Sequence, residues 1–171
     1  HRGAVVVDSA PGQGSTFHLY FPLLERDRAA AASPASTLAP VRGRGEHVVY
    51  VDDDAVMVAL VERLLQRAGY RTTVLPGALP ALDFLRTRGA DVALVITDQN
   101  MPDLAGLDLC RELAALRPGL PVVLSSGLVS PALRAQAEAL GVRALLHKEQ
   151  TYEELAPLVQ RVLAGAAAGR S

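Results

Sequence analysis

From His47 onward the chain alternates short strand-like runs, most of them apolar, with amphipathic stretches, five times over. The runs are His47 to Val51, Arg71 to Leu75, Val92 to Thr97, Pro121 to Ser125 and Ala144 to His147, and a helix-like segment follows each. Such an alternation argues for a parallel sheet covered by helices on both faces. The first helical segment, about Ala55 to Ala68, sets Val56, Leu60 and Leu64 at fourfold spacing with Val61, Leu65 and Ala68 beside them. That stripe faces a sheet, and Gly69 ends the helix. The last segment opens with Thr151 and Glu154 in capping-box spacing and contains Pro157, which is expected to kink or restart the helix.

A doubly wound sheet brings the carboxyl ends of its parallel strands to one edge, so groups far apart in sequence meet there. The acidic run Asp52-Asp53-Asp54 ends "HVVYVDDD", Asp98 ends "ALVITD", Ser126 follows "PVVLS" and Lys148 follows "ALLH". Taken singly, each residue has an ordinary explanation. An acid after a strand is most often a helix cap or turn residue, a serine beside glycine is usually turn chemistry, and a lone lysine is usually solvated. Their conjunction, each at its own strand end, is harder to explain that way. Several carboxylates at one edge repel one another unless a cation neutralises them. Mg²⁺ suits such a set, since it takes all-oxygen octahedral coordination from one or two carboxylates, a phosphate oxygen and waters. Asp54 is better placed to cap the helix that follows it.

Acid cluster, lone acid, hydroxyl and lysine in this order resemble the receiver domain of two-component signalling, over about residues 46–165. The resemblance implies a flavodoxin-like α/β fold, a doubly wound five-stranded parallel sheet built from βα repeated five times. It implies that Asp98 accepts a phosphoryl group from a phosphohistidine, assisted by Lys148 and Ser126. It implies Mg²⁺ held directly by Asp53, Asp98 and the main-chain oxygen of Asn100, with Asp52 acting through water. The loop "DQNMPDLAG" fits the same family, with Met101-Pro102 turning the chain, Gly106 opening the next helix, and Gly127 as the small residue after the hydroxyl. Two positions depart from the pattern: Glu149 follows Lys148 where the family usually has proline, and Leu145 stands where it often has an aromatic switch. A trans peptide and a somewhat different lysine loop are expected, because a cis bond before a non-proline residue costs ~3 kcal/mol.

Before the repeat lie two other kinds of sequence. Residues 25–45, "ERDRAAAASPASTLAPVRGRG", hold almost no large apolar side chains and read as a flexible linker. Residues 1–24 contain two β-rich runs, Ala4 to Asp8 and Thr16 to Phe21, around the turn-forming Pro11-Gly12-Gln13-Gly14, which is a hairpin pattern. The run with Gly12, Gly14, Ser15, Thr16 and Phe17 resembles the closing strands of the ATP-binding domain of histidine kinases. The glycines also have a plainer use in supplying positive φ. The elements of that domain that hold Mg-ATP are not in this sequence, so ATP binding is not expected. The order kinase remnant, linker, receiver implies the end of a hybrid sensor histidine kinase. Because the first residue is His, the chain is expected to be a piece of a longer protein, and residues 166–171 read as a tail.

Bulk properties narrow the partners. Half the residues are hydrophobic and the formal net charge is −1, so there is material for a core and no field to hold a polyanion. With no Trp and few Phe and Tyr, base-stacking platforms are scarce, and nucleic acid is not an expected partner. The one cysteine, Cys110, is expected to pack in the core, as is Met57. A lone cysteine suits the cytoplasm. No apolar run approaches the ~20 residues a bilayer requires, so no direct membrane contact is expected. The expected partner is a histidine kinase or a histidine-containing phosphotransfer domain.

Two readings from other classes compete with an active phosphoacceptor. One is a degenerate receiver that serves only as an interaction module. The other is a hydrolase of the haloacid dehalogenase type, which needs a second aspartate two residues beyond the first, where this chain has Asn100.

Overall fold

The computed structural model describes residues 4–12, 14–20 and 43–168. Most of the composition-defined linker, together with Phe21 and Gln13, lies outside the described residues. The chain divides into two compact units, residues 1–37 and 38–171. In the first, strands β1 (Ala4–Ala10) and β2 (Gly14–Tyr20) pair antiparallel, Ala4 opposite Tyr20 and Ala10 opposite Gly14. Gly12 and Gly14 take φ of 75° and 86°, the region that β-carbons disfavour, so the turn needs them.

The second unit is the alternating α/β body. Its strands are β3 (His47–Val51), β4 (Arg71–Leu75), β5 (Val92–Asp98), β6 (Val122–Ser126) and β7 (Ala144–His147). Its helices are α1 (Ala55–Arg67), α2 (Ala78–Thr87), α3 (Gly106–Leu116), α4 (Pro131–Ala139) and α5 (Thr151–Ala168). All neighbouring strands run parallel in the order β4-β3-β5-β6-β7, the flavodoxin-like arrangement with its reversal between β3 and β5. The two faces of β3 explain the doubly apolar character of the run. Val49 and Val51 pack with residues of α2, α3 and α4, while Val48 and Tyr50 pack with residues of α1 and α5.

Local chemistry sets the helix ends. Asp54 caps α1, its Oδ1 accepting from the amides of Val56 at 2.8 Å and Met57 at 3.3 Å. Gly69, at φ 87°, closes α1: its amide donates to the Gln66 carbonyl while the Tyr70 amide reaches back to Leu65. The segment just before β3 is tied to this end of the helix. Gly43 and Gly45, placed in the linker by composition, donate to the carbonyls of Ala68 at 2.6 Å and Gly69 at 3.0 Å. Packing of the α/β body thus includes residues ahead of its first strand, β3.

Helix α5 departs from its sequence pattern. A 3₁₀ turn over Lys148–Gln150 runs directly into it, so Thr151 has helical dihedrals, φ −54° and ψ −41°. A capping residue needs an extended backbone. The Thr151 hydroxyl is buried without a hydrogen-bond partner among the described residues, and the capping box is not formed. The helix also continues through Pro157 without being divided into two.

Gly106 sits where the phosphoacceptor-loop candidate turns into α3. A β-carbon there would lie 2.2 Å from the Asp98 carbonyl oxygen and 2.7 Å from Leu124 Cδ1. Backbone cannot yield as a side chain can, so Gly106→Ala should destabilise the fold by about 2 kcal/mol in urea unfolding. Gly165, in α5 with nothing near its β-carbon position, is the contrast. Gly165→Ala should be stabilising by up to about 1 kcal/mol, since alanine is the better helix former.

Candidate functional site

The strand register carries four sequence-predicted positions to one edge. Val51 is level with Thr97, Asp98 with Ser125, and Ser126 with His147, so Asp52, Asp98, Ser126 and Lys148 follow or end adjacent strands. Asp52, Asp98 and Ser126 are buried, whereas Asp53 is exposed. One carboxylate oxygen from each of Asp52, Asp53 and Asp98 lies within 4.8 Å of the others. Three carboxylates so close, one of them facing solvent, form an all-oxygen donor set of the kind a hard divalent cation takes.

Lys148 already occupies part of this field. Its Nζ lies 2.9 Å from Asp52 Oδ2 and 3.0 Å from Asp98 Oδ1. Burial works to lower the Lys148 pKa, but its two carboxylate partners outweigh it and hold the ammonium above its ordinary value. Burial pushes the Asp98 carboxyl above the usual carboxylate range; Lys148 pulls it back, and the nearby Asp52 charge adds to the rise. The remaining Asp98 oxygen, Oδ2, accepts the Asn100 amide at 3.1 Å, which fixes the backbone of Asn100 against the site.

Ser126 stands at the edge, yet its hydroxyl is engaged within its own loop. Oγ donates to the Leu128 carbonyl at 2.9 Å and accepts the Leu128 amide at 3.2 Å. Service elsewhere requires that turn to open. Lys148 and Glu149 lie in the 3₁₀ turn, with no cis peptide among the described residues, and Leu145 is partly buried in the strand before it.

Two contributors escaped the sequence reading. The Tyr50 hydroxyl donates to Asp52 Oδ2 at 2.6 Å. The signal was available: residues two apart on a strand share a face, and Tyr50 is the polar-tipped member of an otherwise apolar run. Asp103, in the loop after Asp98, is the other. Gly77, the residue before α2, has no side chain to cap the helix, and Asp103 Oδ2 accepts the Leu79 amide at 2.9 Å in its place. That hydrogen bond joins the loop after β5 to the start of α2. A cap supplied from 24 residues away leaves no local spacing to find.

Comparison with known proteins agrees with this architecture. Residues 48–160 match the response regulator receiver domain family. The chain is 31% identical over 157 residues to the sensor histidine kinase AruS of Pseudomonas aeruginosa, covering 90% of this chain and 15% of that protein. It is 27% identical over 168 residues to the sensor kinase CckA of Brucella abortus, covering 94% of this chain and 18% of that one. The chain thus spans less than a fifth of either relative. A CheY-like response regulator receiver domain protein from Methanospirillum hungatei has the same fold, with a TM-score of 0.68 at 21% identity, over 72% of this chain and 98% of that one. With its parallel sheet, its acid cluster at the carboxyl edge and this family match, the chain belongs to the response regulator receiver domain family.

Proposed function

We propose that the chain is a Mg²⁺-dependent phosphoacceptor and that Asp98 takes the phosphoryl group. The observation that carries this reading is the placement of Asp98: buried, ending β5, within 4.8 Å of two further carboxylates and in an ion pair with Lys148. In the reaction an Asp98 carboxylate oxygen attacks the phosphorus of a phosphohistidine, the P–N bond breaks, and the imidazole leaves. Such a transfer asks the protein for in-line positioning and for positive charge at the equatorial oxygens. Lys148 supplies that charge from one side. The Ser126 hydroxyl can donate to another oxygen once it releases Leu128.

The donor set suits Mg²⁺. Asp53 and Asp98 are proposed as direct ligands with the main-chain oxygen of Asn100, and Asp52 acts through water. When bound, the ion neutralises the crowded acids and draws charge from the phosphoryl oxygens.

The alignments to AruS and CckA cover nine-tenths or more of the chain and so run past the receiver body into the hairpin segment. That extent supports a hybrid sensor histidine kinase as the parent, with the hairpin belonging to its ATP-binding domain. The proposed donor is a histidine kinase or a histidine-containing phosphotransfer domain, in the cytoplasm. No helix among the described residues is long and apolar enough to cross a membrane.

Incubation with acetyl phosphate and Mg²⁺, followed by intact-mass measurement, should add one phosphoryl group to the wild type and none to Asp98→Asn. A folded wild type that gains no mass would favour the interaction-module reading. Lys148→Ala removes a full charge from the phosphoryl oxygens and should slow phosphorylation on the order of 100-fold. Ser126→Ala removes a neutral donor and should cost roughly tenfold or less; the opposite ranking would contradict the assigned roles.

The raised Asp98 pKa gives a further prediction with a definite sign. A carboxyl whose folded pKa exceeds its unfolded value favours the fold while protonated, and that contribution is lost as pH rises through the folded pKa. At pH 7 in EDTA the wild type bears this cost, so Asp98→Asn should unfold at higher urea. The gap should shrink as the pH falls toward the unfolded carboxyl value. A gap that grows on acidification would contradict the burial argument.

A further inference from the structure

Tyr50 is the penultimate residue of β3, with 1% of its surface exposed. A hydroxyl at such depth needs a partner, and it finds one in Asp52 Oδ2 at 2.6 Å. The same oxygen takes the Lys148 ammonium at 2.9 Å, while Oδ1 accepts the Asp54 amide at 3.0 Å. A carboxylate offers about four lone-pair directions. Tyr50 and Lys148 together therefore fill Oδ2, leaving Asp52 a single free direction on Oδ1. Burial first, then the bond to Asp52, push the Tyr50 hydroxyl far above its ordinary range, so it remains a donor throughout the physiological range.

We infer that Tyr50 is a positioning residue: its hydroxyl keeps Asp52 Oδ2 occupied and so withholds that oxygen from a divalent cation, which Asp52 then meets through water at the free direction on Oδ1. This rests on the cation and phosphoacceptor roles proposed above. It also gives Asp52 a partner that does not depend on Lys148. When the ammonium turns toward a phosphoryl group on Asp98, Lys148 leaves Oδ2 and the Tyr50 hydrogen bond stays. Tyr50 belongs to the layer packed by α1 and α5, so the constraint is anchored in the core and not in the loops.

The test uses the full chain with Mn²⁺ alone as the probe, reading affinity and the number of metal-bound waters by water-proton relaxation. Tyr50→Phe removes only the hydroxyl. It should bind Mn²⁺ more tightly by roughly three- to tenfold, with one fewer bound water, because Oδ2 is freed to ligate. Affinity within twofold of wild type with unchanged hydration would overturn the role, and so would weaker binding. A double-mutant cycle supplies an independent readout: Asp52→Asn should weaken Mn²⁺ binding several-fold more in the Tyr50→Phe background than in the wild type. Equal losses in the two backgrounds would overturn the inference even if Tyr50→Phe is less stable. A wild type that takes up no Mn²⁺ would overturn the cation site itself and this role with it, whereas a binding wild type beside an unchanged Tyr50→Phe overturns the role of Tyr50 alone.

Discussion

Lys148 reaching between two buried carboxylates is the interaction on which the rest of the site depends. Its ammonium holds Asp52 and Asp98 together at the point where β3 and β5 end, and each of those acids is almost wholly removed from water. Burying charges costs several kcal/mol per ion even after relaxation, so such a trio persists only when its other lone pairs are met. The Tyr50 hydroxyl, the Asp54 amide and the Asn100 amide meet three of them. The balance is still uneven, because two buried anions share one cation while Asp53 adds a third carboxylate at the rim. In the proposed reading that residual negative charge is what draws in a divalent ion, and a phosphoryl group then competes for the lysine.

The sheet makes this arrangement possible. Parallel order β4-β3-β5-β6-β7 ends the strands carrying Asp52, Asp98, Ser126 and Lys148 along one edge. Close packing behind that edge fixes the positions. Gly106 lets α3 start against the Asp98 carbonyl, and Asp103 ties the following loop to α2. Asp98 is thus the end of a buried strand and also the start of a loop pinned at two points.

Much of this was readable from residues. The five runs predicted the strands to within a residue at either end. Strands β3, β5 and β6, buried along nearly their whole length, carry a nearly unbroken apolar signal, whereas the edge strand β4, Arg-Thr-Thr-Val-Leu and only partly buried, was marked by its β-branched residues. Asp54 as a cap and Gly69 as a stop were local chemistry and were found as such. Features that depend on tertiary context were not legible. The Thr151 capping box failed because the preceding 3₁₀ turn leaves no extended residue to act as a cap, and Pro157 did not divide α5. Tyr50 and Asp103 were missed for a related reason, since the value of each lies in the group it meets once the chain has folded.

The central claim is that crowded acids at the strand edge form a divalent-cation site in which Asp53 is a direct ligand. Urea unfolding of wild type and Asp53→Ala across a series of Mg²⁺ concentrations tests it most directly, because a ligand bound only by the native state stabilises by RT ln(1 + [L]/Kd). The account predicts that wild-type stability climbs with the logarithm of Mg²⁺ above Kd, while Asp53→Ala, relieved of repulsion, starts higher without metal and stays flat. Parallel rises in the two proteins, or a wild type indifferent to Mg²⁺, would contradict it.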